Sequence, residues 1–228
     1  MKNVKCFAAI FVAIYIMCAF VVVFIISDFP FLRSTPDKNI NQRAVIAIRD
    51  DVNTFQKFGS RLFTTGYTEN AYNESVYITQ YSANDKKDFF LSELLRLLKK
   101  YPEVDIFILA HGNQLIYEIG QLDAFLLRNI RLIYNTGCGN FNQGDYAISI
   151  GADAYMSHYG QMSMSPVFYF YFLRNWSSGM RLDESCDDAN EMCVGRLNWI
   201  YAFSENKSQV INDTKAIITG DESISVDE

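Results

Sequence analysis

Asp105-Ile-Phe-Ile-Leu-Ala110 runs directly into His111-Gly112, and Arg131-Leu-Ile-Tyr-Asn-Thr136 runs directly into Gly137-Cys138-Gly139. Each apolar run has the length and β-branched content of a buried strand, and each is bounded by glycine. A histidine and a cysteine therefore stand just past the carboxyl ends of two strands. Open α/β sheets place their ligand crevices at that edge.

The flanking segments alternate in the same sense. Ala44-Val-Ile-Ala-Ile48 reads as a first strand, ending at Arg49-Asp50-Asp51. Phe55, Phe58, Leu62 and Phe63 follow at helical spacing, with Asp51 or Asn53 as N-cap and Gly66 as the expected stop. Ser75-Val-Tyr-Ile-Thr-Gln-Tyr81 reads as a second strand. Asn84-Asp85 then caps a helix whose apolar face carries Phe89, Phe90, Leu94, Leu95, Leu97 and Leu98, and Pro102 ends it. Segment 115–127 reads as partly helical, 146–150 as a helical turn and 152–158 as a fifth strand. The aromatic stretch 167–176 reads as a buried helix, and 182–199 as another. Strands alternating with helices predict an α/β fold, with a mostly parallel sheet covered by helices on both faces.

Ahead of this domain, residues 6–26 contain no charge, Pro or Gly. Their roughly 21 residues would reach about 30 Å as a helix, the depth of a bilayer core. Cleavable signals have a shorter apolar region and a small-residue cleavage site, and neither is present. The run predicts a retained transmembrane signal anchor over 6–27, behind a cytoplasmic segment 1–5. Lys2 and Lys5 before it orient the amino terminus to the cytoplasm and the domain to the extracytoplasmic side. Residues 28–42, with Pro30 and Pro36, read as a linker, 43–203 as the α/β domain, and 204–228 as a polar tail frayed at its end.

Composition excludes several classes. The chain of 228 residues is 50% hydrophobic and 15% aromatic, which argues against disorder. A net charge of −6 leaves no basic footprint for nucleic acid. Five cysteines without a CxxC, and two histidines, point away from a zinc site, and no metal or other cofactor is implied. In an oxidising compartment Cys186 could pair with Cys193, but on a continuous helix the two stand about 10 Å apart, too far for a disulfide, so two separate small buried thiols are the expected state.

A cysteine attacks a carbonyl as its thiolate, and an imidazole is the common base that makes one. Parallel neighbours lie about 4.8 Å apart, so side chains just beyond their ends can share a substrate. Backbone N–H groups in glycine-flanked turns suit a developing oxyanion. His158 is the second-ranked base. Asp50-Asp51 can reach the crevice as a metal or substrate contact, with helix capping the expected role. Three other chemistries fit less well. An amidotransferase elbow wants glycine where Thr136 stands, a tyrosine-phosphatase loop wants arginine where Gly144 stands, and no Gly-x-Ser-x-Gly supports an α/β-hydrolase.

At His111-Gly112 and Cys138 the chain resembles the caspase-like cysteine peptidases, a superfamily that includes caspases, metacaspases, legumain, gingipains, clostripain, separase and the bacterial CHAT proteins. Gly151-Ala-Asp-Ala-Tyr-Met156 is similar to the next strand of CHAT-type members. Segment 163–179 with Leu182-Asp-Glu-Ser-Cys-Asp-Asp-Ala-Asn190 is similar to their closing helices. The resemblance implies a three-layer sandwich, a peptide or protein substrate, and a thioester acyl-enzyme. His111 would be the base and Cys138 the nucleophile. The N–H groups of Gly112 and Cys138 would form the oxyanion hole, and Ser157 and Tyr159 would flank the substrate. Two departures stand out. Thr136-Gly137 replaces the family's usual alanine before the cysteine, and only 27 positions separate 111 from 138. The alternative reading is an inactive, membrane-tethered interaction module of the same fold.

Overall fold

Arg43–Arg49 (β1) is buried along its whole length, as are Ile130–Asn135 (β4) and all but the first residue of Glu103–Leu109 (β3). Strands buried on both faces belong inside a parallel sheet with helices above and below. In the computed structural model they form the centre of one. The structure describes residues 42–50, 54–79, 84–111 and 113–227, with Val12 and residues 14–18. Glu74–Thr79 (β2), Ala154–His158 (β5) and Ala216–Gly220 (β6) complete a six-stranded sheet in the order β2-β1-β3-β4-β5-β6. All pairings are parallel except β5 with β6.

Alternate side chains divide two cores. Val45, Ala47, Phe107, Tyr134 and Met156 face one side, where Thr54–Ala71 (α1), Ser165–Trp176 (α6) and Leu182–Ile200 (α7) pack. Ile46, Ile48, Ile106, Ile108 and Ile133 face the other, against Asn84–Lys100 (α2), Leu115–Ile119 (α3), Ala124–Leu127 (α4) and Gly144–Ser149 (α5). The sheet is thus α/β, mostly parallel and covered on both faces. β1 leads outward to β2, whereas β3 leads the other way to β4 and β5. The chain changes direction between β1 and β3, which is where open sheets leave a crevice beyond the strand ends.

Three expectations are corrected or fall elsewhere. The first helix does not stop at Gly66 but continues to Ala71, because Tyr67 and Ala71 extend its buried stripe. The segment after Ser204 is not a frayed tail. It forms Lys207–Thr214 (α8) and β6, and Val226 is 1% exposed. The expected anchor lies largely outside the described residues, and no helix among those described is long and apolar enough to cross a membrane. The chain divides into units Met1–Ser34 and Thr35–Glu228. In the first, Val12 and residues 14–18 are helical with exposed side chains.

The closing segment is held by charge. Arg131 and Asp105 are 4% and 1% exposed. The β3–β4 register skips Arg131, and its guanidinium grips Asp105 at 3.0 Å and 2.5 Å. The Tyr72 hydroxyl donates to the same carboxylate, and Trp176 Nε1 donates to Tyr72 at 2.7 Å. The guanidinium lies 4.9 Å from the Trp176 ring, and both it and Arg43 donate to the Ser225 carbonyl. Burial disfavours the charge on Arg131, but the Asp105 carboxylate more than offsets this and keeps it protonated. A buried pair is costly to break because the surviving charge has no water. Arg131→Ala is therefore expected to lower the unfolding free energy by about 3–5 kcal/mol in urea titrations. A loss below about 1 kcal/mol, the range of exposed pairs, would contradict the assignment.

Candidate active site

Asp50 follows β1 and His111 lies two positions past the end of β3, so the two face each other across the divergence of the sheet. The Asp50 N–H donates to the Leu109 carbonyl at 3.2 Å, which extends the β1–β3 ladder by one rung. That rung fixes the Asp50 carboxylate against the following turn. Oδ2 accepts the His111 backbone N–H at 2.7 Å and lies 3.1 Å from His111 Nδ1. The Asp50 side chain is 16% exposed and the His111 side chain 62%. A carboxylate beside Nδ1 favours the tautomer with the proton on Nδ1 and leaves Nε2 as the basic nitrogen.

Cys138 stands at the matching level of the next strand. Ile108 pairs with Asn135, and His111 and Cys138 each follow three positions later. Thr136 doubles the connection, because its N–H and its hydroxyl both donate to the Ile108 carbonyl, at 2.9 Å and 3.2 Å. Gly137 closes the gap. A Cβ at that position would lie 2.8 Å from the Ala110 carbonyl oxygen and 2.3 Å from Asn140 Nδ2. The residues immediately before the histidine and before the cysteine are thus in contact.

A buried amide cluster holds the two turns together. Asn135 is 0% exposed, and its Oδ1 accepts from Gly137 N at 3.0 Å, Asn113 Nδ2 at 2.9 Å and Asn140 Nδ2 at 3.2 Å. Its Nδ2 donates to Gln143 Oε1 at 3.2 Å, and Gln143 Nε2 donates to the Asn113 carbonyl at 3.0 Å. Asn113 also donates to the Ala110 carbonyl at 3.0 Å. Buried amides need partners, so a fully paired set specifies one arrangement of both turns. Sequence reasoning missed this cluster. Its signal was the concentration of Asn and Gln at positions 113, 114, 135, 140, 142 and 143.

From the sequence Asp50 has two expected roles, a helix cap first and a contact in the crevice second. The structure brings it to His111 instead, while Asp51 and Asn53 lie outside the described residues. Gly112, the expected first oxyanion donor, lies outside them too. Of the expected substrate-flanking pair, Tyr159 is 54% exposed and Ser157 is fully buried in β5.

His158 is placed apart from this site. It is fully buried, its ring 5.1 Å from Phe168, with Nδ1 donating to the Thr214 carbonyl at 2.7 Å and Nε2 accepting from the Tyr134 hydroxyl at 2.9 Å. Burial lowers its pKa to about 4, against the opposing hydrogen bonds to Thr214 and Lys215. The sequence's second-ranked base is a neutral core residue. Cys186 and Cys193 are likewise free and buried, and burial pushes both thiols up to about 12. Cys138 is half-buried. Among the described residues no cluster of His, Cys, Asp and Glu has the form of a metal site.

No protein-family model and no curated protein matches the chain.

Two outcomes follow from this geometry. Gly137→Ala is expected to cost about 1–3 kcal/mol in urea unfolding, since its methyl group meets backbone oxygen and a committed amide. An unchanged midpoint would show that the two turns are not in contact. For His158, the unfolded chain binds the extra proton between pH 6.5 and 4. Its contribution is complete above about pH 6.5 and is lost as pH falls toward 4, on the order of 3 kcal/mol in all. Comparing unfolding of the wild type and His158→Gln across that window isolates this slope, and parallel curves would contradict it.

Proposed function

We propose that the chain is a cysteine hydrolase of the caspase-like kind, cleaving peptide or related acyl bonds with His111 and Cys138, on a domain that residues 6–27 tether to the extracytoplasmic side of a membrane. One observation carries the catalytic part of this reading. A carboxylate, an imidazole and a thiol stand beyond the ends of three adjacent parallel strands, with Asp50 at Nδ1 of His111. The anchor rests on the length and uniform apolarity of the N-terminal run alone.

In this mechanism His111 Nε2 takes the Cys138 thiol proton, and the thiolate sulfur attacks the substrate carbonyl carbon. The carbonyl π pair moves onto oxygen, where the backbone N–H groups of Gly112 and Cys138 would receive it. Collapse of this intermediate breaks the C–N bond, and the His111 imidazolium gives its proton to the leaving amine. A thioester remains on Cys138. Water, deprotonated by Nε2, then attacks the thioester, releases the acid and restores the thiol. Asp50 does not touch substrate. It positions the ring and stabilises the imidazolium, the task of the aspartate in serine-protease triads. Glycine in place of alanine before Cys138 has a local reason, namely the Ala110 carbonyl beside it.

Peptidyl chloromethylketones are expected to alkylate Cys138, read as a mass adduct on the intact protein. His111→Ala should slow that reaction by about 100-fold or more, as loss of a general base does. Asp50→Asn should slow it in the same sense without preventing folding. A folded protein whose Cys138 takes no adduct would overturn the hydrolase and leave the tethered interaction module.

A further inference from the structure

The two turns on the β5 side of Cys138 point to the substrate. Gly137-Cys-Gly-Asn-Phe-Asn-Gln143 forms the connection after β4, and Tyr159-Gly-Gln-Met-Ser-Met164 the turn after β5. Neither segment contains a charged residue. Asn135 pairs with Ser157, so Cys138 and Gly160 each follow three positions after that rung. The two turns are in contact there. Gly139 has a φ of 71°, and a Cβ on it would lie 2.3 Å from Gln161 Nε2.

These turns carry apolar groups in water. Phe141 and Tyr159, one from each turn, lie with ring centroids 5.0 Å apart, yet they are 41% and 54% exposed. Met162 is 38% exposed. The turn bearing Tyr159 and Met162 is fastened from below. Asp213 Oδ2 accepts Met162 N at 3.0 Å, the Asp213 carbonyl accepts Gly160 N at 3.4 Å, and Thr214 Oγ1 accepts Met164 N at 2.8 Å. A Cβ on Gly160 would overlap the Asp213 side chain. The aromatic pair is therefore presented on a fixed frame rather than on a free loop.

We infer that this rim is the acyl-side specificity surface of the site, and that it takes substrates with an aromatic or large apolar side chain beside the scissile carbonyl. The inference rests on the hydrolase reading above. A bound ring packs on Phe141 and Tyr159 in the offset or edge-on arrangements that aromatic groups favour, and buries apolar surface that now faces water. A lysine, arginine or aspartate side chain at the same place finds no opposite charge on either turn. The Asp213 carboxylate lies behind the turn, on α8, where its Oδ2 accepts the Met162 amide.

The test uses the full chain in detergent and three chloromethylketone probes that differ only in the residue next to the warhead: Phe, Arg or Asp. Adduct formation on Cys138 is followed by intact mass, and each rate is divided by that protein's own rate with iodoacetamide. The Phe probe is expected to react roughly 10-fold or more faster than the Arg and Asp probes. Phe141→Ala with Tyr159→Ala should remove most of that preference. Tyr159→Asp alters one exposed residue, and it should shift the ratio toward the Arg probe by roughly 10-fold. An Arg or Asp probe reacting fastest in the wild type would overturn the substrate class and leave the hydrolase standing. A preference for Phe that survives in both variants would overturn the assignment of Phe141 and Tyr159. No adduct from any probe, with iodoacetamide still reacting, would overturn the hydrolase and this inference together.

Discussion

Burial of β1, β3 and β4 on both faces is the constraint from which the rest of the structure follows. Strands of that kind pair in parallel, because the helical crossovers that cover their faces return each strand in the same direction. All their carboxyl ends then lie at one edge. β1 and β3 pair over seven residues, from Arg43 with Glu103 to Arg49 with Leu109, and their connections diverge beyond that pair. The meeting of Asp50 with His111 follows from this pairing rather than from any local preference of either residue.

Bringing polar turns to that edge requires that their backbone groups find partners. Asn113, Asn135, Asn140 and Gln143 supply them inside the domain, away from water. The cluster ties the turn after β3 to the turn after β4 and makes their separation a fixed distance. Gly137 belongs to the same solution, because any side chain there would enter the space of the Ala110 carbonyl and the Asn140 amide. At the opposite edge the Arg131–Asp105 pair does comparable work. It draws the final residues of the domain across the strand starts through the Ser225 carbonyl.

The parts of the fold that rest on apolar periodicity were legible in the sequence. Five parallel strands, the buried aromatic helix α6 and helix α7 could be read from runs and spacing, and His111 and Cys138 could be placed at strand ends. What depended on residues distant in sequence was not legible. β6 is a short edge strand whose residues are mostly half-exposed, and its polar surroundings resemble a tail. The Asn135 cluster needs partners 22 and 8 positions away, on turns whose packing no local pattern records. Asp50 looks like a helix cap from its neighbours, and only the β1–β3 pairing brings it to a residue 61 positions later. His158 shows the converse error. A histidine at a strand end looks accessible until the alternation of β5 turns it into the core beneath α6.

The chain contains only two histidines, so their ring nitrogens can be observed without ambiguity by long-range nitrogen–proton NMR. The proposed dyad has Asp50 on His111 Nδ1 and directs His111 Nε2 to Cys138. It predicts a protonated Nδ1 on the neutral His111 ring, and a His111 ring signal that moves when Cys138 is carbamidomethylated while the His158 signal stays in place. A neutral His111 with its proton on Nε2, together with no response to alkylation of Cys138, would contradict it.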